Sequence, residues 1–154
     1  MSRADDVLAQ QKENLGKQIG VSRWFDITQE DVTQFAKTTQ DEQFIHIDPQ
    51  LAKTHSPFGG TIAHGFYVLS LAVAMAEESI EVPQGRKMGV NYGFEKIRFI
   101  NPVPVGSRVR GLFVLESVEQ KQPGAILSKM GLSVEIEGQE KPALVATWLG
   151  MAFY

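Results

Sequence analysis

The fold class of this chain is decided by the stretch AHGFYVLSLAVAMAEES, residues 63–79. Read as a helix, it is apolar on nearly every face, which is typical of a helix surrounded by other structure. Its most apolar part, Phe66 to Ala76, has 11 residues, well short of the ~20 that span a bilayer. We therefore predict a buried core helix over residues 63–79.

Four long segments separated by Pro- and Gly-containing turns follow this helix: Arg86 to Ile100, Ser107 to Val118, Ala125 to Ile136 and Ala143 to Phe153. The third segment alternates, with Ile126, Leu132 and Val134 on one face and polar residues on the other. Such segments predict an antiparallel meander. A long buried helix followed by this sheet predicts an α+β domain of the hot-dog fold, in which the sheet wraps around the helix.

Length and composition exclude several classes of protein. The 154 residues suffice for one domain, and we assign residues 19–154 to it and residues 1–18 to an N-terminal helical extension. Cysteine is absent, which excludes disulfides and thiolate metal sites. The net charge of -3 gives no general attraction for nucleic acid or an anionic membrane. The polar N-terminus lacks a secretory signal, so we expect a cytoplasmic protein.

Shorter elements precede the long helix. Polar and apolar spacing predicts a helix over about residues 4–15 and a short strand from Val21 to Ile27. Thr28 is placed to cap a helix from about Gln29 to Thr38. Asp48 before Pro49 has the pattern of a cap and first turn of the next helix, so we interpret Asp48 as a structural residue.

The candidate chemistry lies between these two helices. Asp41 and His46 are five residues apart, and a carboxylate with an imidazole can move protons near neutral pH. On one helix this spacing would separate the side chains by about 140°, so only a bent loop lets them converge. A loop carboxylate that caps backbone N–H groups beside an ordinary packed histidine is the structural alternative, and spacing alone favours it.

Ordered motifs extend this pair into a family resemblance. Residues 35–52 read FAKTTQDEQFIHIDPQLA, and residues 58–65 read FGGTIAHG. Together with Asn91-Tyr92-Gly93, Lys96-x-Arg98-Phe99 and the segment from Pro102 to Ser107, they resemble the MaoC-like dehydratases, the (R)-specific enoyl-CoA hydratases, and their NodN-like subgroup. That family adds water reversibly to a trans-2-enoyl thioester, giving an (R)-3-hydroxyacyl-CoA. We expect neither a cofactor nor a metal.

The resemblance also implies site residues. Asp41 and His46 match the family's catalytic pair, although sequence does not decide which is the base. The Gly65 backbone N–H matches the donor to the thioester oxygen, at a helix N-terminus that favours an anion. We expect Gln43, Ile62, Phe66 and Arg98 to contact substrate. Gln43 and Phe44 replace the usual Asn and Pro, and Val73 stands where some members carry serine.

Several expectations remain open at this stage. We interpret His64 as a structural residue that orders the helix entrance. A patch of cations could hold the phosphates of coenzyme A: Arg86, Lys87, Lys96, Arg98, Arg108 and Arg110. The edges of a hot-dog sheet make a homodimer the expected assembly. A hot-dog thioesterase and a non-catalytic subunit that binds acyl thioesters are the alternative functions.

Overall fold

A computed structural model describes residues 2–154 of the chain. Its helices are α1 (Arg3–Lys12), α2 (Gln29–Thr39), α3 (Phe44–Ile47), α4 (Pro49–His55), α5 (Gly65–Ser70) and α6 (Ala72–Ser79). Its strands are β1 (Gln18–Val21), β2 (Phe25–Asp26), β3 (Met88–Phe99), β4 (Arg108–Gln122), β5 (Ala125–Ile136) and β6 (Leu144–Phe153). The predicted antiparallel sheet beside a central helical segment is therefore present.

The strand order differs from a simple meander. The six-stranded sheet runs β1-β4-β5-β6-β3, with β2 also paired to β4, so β3 lies beside β6 rather than beside β4. The connection from β3 to β4, residues 100–107, is longer than a usual hairpin loop of ~2–5 residues. It is held at the start of the central helix, where Ala63 N–H donates to Val103 O (2.8 Å) and Val105 N–H to Thr61 O (2.9 Å). These contacts carry the chain away from a direct β3–β4 turn.

The central helix is broken into two pieces, contrary to the single helix that we expected. Ser70 Oγ donates to Phe66 O at 2.7 Å. The N–H of Leu71 is shared between Tyr67 O (3.3 Å) and Val68 O (3.2 Å). A serine that bonds back to the preceding turn bends a helix. Neither Gly nor Pro marks this break, so the apolar pattern alone did not reveal it.

One side of α5 and α6 packs on the sheet. Val68, Ala72 and Met75 are at most 2% exposed and contact the core that β4, β5 and β6 supply. On the opposite side Phe66 is 67% exposed and Val73 43% exposed. The prediction that this helix is enclosed on all sides is therefore wrong for a single chain.

Strand β3, an edge of the sheet, is also exposed and apolar, with Met88 at 53% and Tyr92 at 59%. Its far end meets the helix, because the Phe99 ring lies edge-on to the Phe66 ring at 5.9 Å. We call this surface the apolar face; its members are Phe66, Val73, Met88, Val90, Tyr92, Phe94 and Phe99.

The N-terminal region follows the expected order of elements with one interruption. Helix α1 buries Ala4 and Val7 against Leu115 and Ile126 of the sheet. Of the strand expected from Val21 to Ile27, only Val21, at the end of β1, and the two residues of β2 are in strands. Between β1 and β2, Ser22 Oγ accepts from Gly111 N–H at 2.9 Å. Across residues 2–154, no helix has the length and apolar character required to cross a membrane.

Candidate active site

The chain between α2 and α4 bends sharply around the predicted acid and base. Helix α2 ends at Thr39. Its C-cap Gln40 has a left-handed φ of 64°, and Asp41 follows in the loop. His46 lies not on the loop, as we expected, but on the one-turn helix α3. The bend still lets the two side chains converge, which is the geometric requirement derived from their spacing.

The ring of His46 is buried and fixed by backbone groups. Its Nδ1 lies 2.7 Å from the carbonyl oxygen of Ile62. A carbonyl only accepts hydrogen bonds, so Nδ1 carries the hydrogen, and Nε2 of the neutral ring is an acceptor. In this orientation the imidazole can take a proton through Nε2.

Gln29 is a supporting residue that sequence reasoning missed. Its Nε2 donates to His46 O at 2.7 Å, and its Oε1 accepts from Thr61 Oγ1 at 2.6 Å. It therefore ties α3 to the segment that precedes the central helix. A part-buried Gln at the start of α2 has no sequence signal that distinguishes this role from an ordinary helix position.

His64 lies in the same cluster, although we expected it only to order the helix entrance. Its side chain makes no capping hydrogen bond to α5. Instead its ring stacks on His46 with centroids 3.8 Å apart, and its Nε2 lies 2.9 Å from Asp41 O. His64 is 3% exposed, and its Nδ1 is buried without a hydrogen-bond partner.

Asp41, His46 and His64 form the proton-handling cluster of this structure. Each offers a side-chain ligand atom, and these atoms all lie within 4.8 Å of one another. Burial lowers the pKa of His46 below its usual 6.5; the Ile62 carbonyl opposes this, His64 adds to it, and Asp41 opposes it. Within residues 2–154 this set also has the composition of a divalent-metal site, so the absence of a metal stays a prediction.

Gly65 begins α5 beside this cluster. Its N–H has no acceptor within residues 2–154, which leaves it free for a ligand oxygen. A Cβ at this position would lie 2.7 Å from two atoms of the Phe99 ring. We expected the missing side chain of Gly65 to let the substrate approach closely. In this structure it lets the Phe99 ring pack against the backbone. Because α5 has only six residues, its dipole contributes less than a long helix would.

The four residues expected to contact substrate differ in exposure and in position. Gln43 is exposed, and it contacts His46 through its backbone carbonyl, which accepts the His46 N–H at 3.0 Å. Ile62 is buried and acts through the carbonyl that holds His46. Phe66 belongs to the apolar face, and Arg98 is exposed on β3. Asp48 caps α4 by accepting from Leu51 N–H at 3.0 Å, as its structural interpretation requires.

Half of the predicted cationic patch is already paired. Three of its arginines form ion pairs with carboxylates: Arg86 with Glu77, Arg108 with Glu137 and Arg110 with Glu135. Within residues 2–154, Lys87, Lys96 and Arg98 have no such partner. The free cations therefore lie on or next to β3.

A cavity of about 470 Å³ opens to the surface beside Val73 and Val90. It is lined by α6, the N-terminal region, β3 and β6, and it includes Val73, Val90 and Trp148. None of Asp41, His46, His64 or Gly65 lines it. Val73 is eight residues beyond Gly65, or about 12 Å along a helix. The cavity is therefore separate from the proton-handling cluster.

Comparison with known proteins assigns the family. Residues 10–135 match the MaoC like domain. The chain belongs to the MaoC-like dehydratase family. It is 44% identical over 138 residues to Nodulation protein N of Rhizobium meliloti, covering 90% of this chain and 86% of that protein. It is 47% identical over 131 residues to 3-hydroxyacyl-thioester dehydratase Z of Mycobacterium tuberculosis, covering 85% of each. Both the family resemblance and its NodN-like subgroup are confirmed.

A solved structure confirms the fold of this MaoC-like chain. The (R)-hydratase from A. caviae involved in PHA biosynthesis superimposes with a TM-score of 0.72 at 20% identity, covering 88% of this chain and 94% of that one. The hot-dog prediction is therefore correct. The relatives named as dehydratases and hydratases are hydro-lyases, which places this chain in an enzyme family of that reaction class.

Proposed function

We propose that this protein is an (R)-specific enoyl-CoA hydratase, which adds water reversibly to a trans-2-enoyl thioester. One observation carries the proposal: a buried His46 whose Nδ1 is held by Ile62, so that its Nε2 faces the cluster containing the Asp41 carboxylate. The lowered pKa of His46 keeps the ring neutral at pH 7, which suits a general base.

The cluster supports a balanced sequence of steps. The water oxygen forms a bond to C3 while one water proton passes to His46 Nε2. The C2=C3 electron pair shifts toward the thioester, whose oxygen accepts the Gly65 N–H as it gains charge. The enolate then takes a proton at C2 from the imidazolium, which regenerates neutral His46. Asp41, as a carboxylate, offsets the transient positive charge on the ring.

The substrate is proposed to extend from this cluster in two directions. The acyl chain would run past Val73 into the cavity, whose lining includes many apolar side chains. The phosphates of coenzyme A would meet the unpaired cations Lys96 and Arg98, which lie toward the end of β3 away from the cavity. The name of the mycobacterial relative, a 3-hydroxyacyl-thioester dehydratase, supports this substrate class. A chain without cysteine suits the reducing cytoplasm, where we place the reaction.

We also propose that the protein is a homodimer that buries the apolar face. Tyr92 and Phe66 are 59% and 67% exposed, and an edge strand such as β3 has unpaired backbone groups. A second copy would cover both features at once through a two-fold axis. The apolar pattern all around residues 63–79 then has a physical reason, because the second copy covers the side that the sheet leaves open.

The direct test is incubation of the purified protein with crotonyl-CoA while following the loss of enoyl absorbance, with chiral analysis of the product. We expect (R)-3-hydroxybutyryl-CoA. Release of free thiol without hydration would identify a thioesterase instead. Inactivity of the wild type across short, medium and long enoyl-CoAs would favour a non-catalytic acyl-thioester-binding subunit.

A further inference from the structure

His64 occupies a position that helix capping does not explain. Its ring is stacked on His46 at 3.8 Å on one side and lies 5.0 Å from the Phe35 ring. It is 3% exposed, so bulk water does not solvate it. Buried polar atoms such as the nitrogens of this ring are nearly always hydrogen-bonded.

Only one of those nitrogens has a partner. The carbonyl oxygen of Asp41 accepts from His64 Nε2, which must therefore carry the hydrogen. Nδ1 of the neutral ring is then a bare acceptor, buried and without any donor in the structure. Since buried acceptors are nearly always satisfied, the donor that completes His64 is expected to arrive with the reactants.

Hydration brings one suitable donor. The attacking water has two hydrogens, and His46 removes one of them in the proposed reaction. The second hydrogen stays on oxygen and becomes the O–H of the 3-hydroxyacyl product. Asp41 is only half-buried, so solvent can reach its side chain, whereas His64 Nδ1 has no such alternative.

Building on the proposed hydration, we propose that His64 Nδ1 holds the attacking water by accepting the hydrogen that the water keeps. His64 thereby becomes the third group of the cluster that contacts the reacting atoms. It acts as a hydrogen-bond acceptor and takes no proton. A proton on His64 would place two positive rings 3.8 Å apart at the moment when His46 gains its own charge.

Two substitutions separate this role from a structural one. In His64→Asn the side-chain Oδ1 takes the place of Nδ1, which keeps the acceptor and loses the donor to Asp41. In His64→Gln the side-chain Nε2 takes the place of the ring Nε2, which keeps the donor and loses the acceptor. The proposal predicts that Asn retains turnover better than Gln; a role limited to holding the Asp41 backbone predicts the reverse.

The size and direction of the effect add a second readout. In hydration, His64→Gln should lower kcat by about 100-fold with little change in KM, because the water and not the enoyl thioester is misplaced. In dehydration of (R)-3-hydroxybutyryl-CoA the substrate itself carries the O–H, so KM should rise instead. Equal losses in the two folded variants, or a better Gln variant, would overturn the proposal.

A measurement on the wild type covers the case in which either variant fails to fold. The ¹⁵N resonance of His64 Nδ1 should move when (R)-3-hydroxybutyryl-CoA is added and stay in place with butyryl-CoA, which lacks the hydroxyl. The same shift with both ligands, or none with either, would contradict the assignment. Wild-type hydration of crotonyl-CoA is measured first, because its absence refutes the proposed function and not the role of His64 alone.

Discussion

The two sides of the proposed site are built in different ways. On one side both histidines of the proton-handling cluster are buried, and each is held by a backbone carbonyl of the same chain. On the other side Gly65 meets Phe99 and the apolar face, where the side chains of Phe66, Tyr92 and Phe99 are half exposed or more. The first side is complete within one chain, whereas the second exposes surface that proteins usually cover. We infer that one chain supplies the acid–base chemistry and that a dimer completes the substrate site.

The largest expected loss of activity comes from substitutions in the proton-handling cluster. His46→Ala and Asp41→Asn should each lower kcat for crotonyl-CoA hydration by about 100- to 10,000-fold, because His46 transfers the proton and Asp41 stabilises the charge that the His46 ring gains. Circular dichroism should show an intact fold. The matched control is His55→Ala, since His55 is an exposed histidine on α4. Equal activity of the His46 and His55 variants would remove His46 from the mechanism.

A smaller loss of activity should follow from adding a side chain at Gly65, which lies between the proton-handling cluster and the apolar face. Gly65→Ala places a Cβ 2.7 Å from the Phe99 ring, which must move, and we expect kcat/KM to fall by up to about 100-fold. Gly60→Ala is the matched control, because a Cβ there has open space. The double variant Gly65→Ala with Phe99→Ala should recover activity if the clash is the cause. An unchanged Gly65→Ala enzyme would show that the ring moves aside freely.

The role of the apolar face can be tested by measuring dimer formation. Tyr92→Lys puts a charge in the middle of β3, and we expect the dimer dissociation constant to rise by about 30-fold or more. Light scattering after size-exclusion chromatography measures the change, with Leu15→Lys as the control because Leu15 is 42% exposed outside the apolar face. A wild-type protein that is monomeric at all concentrations would contradict the proposed dimer.

The smallest effect concerns pH. An ordinary histidine with a pKa of 6.5 would be half protonated at pH 6.5, but burial lowers the pKa of His46. Hydration should therefore keep more than half of its maximal kcat/KM at pH 6.5 and fall only at lower pH. Because of the same shift, His46 binds a proton more readily in the unfolded chain than in the folded one. The free energy of unfolding should therefore also fall as the pH drops below 6.5. An acidic limb centred above pH 6.5 would contradict a buried, neutral His46.

The sequence predicted those parts of the molecule that depend on local pattern. The alternating residues of β5 and the Asp48 cap of α4 were predicted, because their periodicity and capping chemistry are local. Ordered motifs identified Asp41, His46 and Gly65 as candidates, and their roles stay predictions until activity is measured. The stacking of His64 on His46 was missed, since it joins segments 18 residues apart in sequence.

Other features escaped prediction because they depend on long-range contacts. The placement of β3 beside β6 follows from how residues 100–107 pack at the start of the central helix. The break at Leu71 has no Gly or Pro beside it and follows directly on a serine whose hydroxyl bonds back to the preceding turn. The exposure of Phe66 could not be predicted from the sequence. An apolar helix has the same sequence pattern whether its own chain or a second copy covers it.

The most direct test of the division between the two sides is a mixing experiment. Asp41→Asn and His46→Ala proteins are denatured together, refolded so that mixed dimers form, and assayed with crotonyl-CoA. Because both residues lie in the same cluster of one chain, every site in a mixed dimer lacks one of them, and turnover should stay at the level of the separate variants. Recovery of turnover on mixing would show that the Asp41 and His46 of one site come from different chains, contrary to this account.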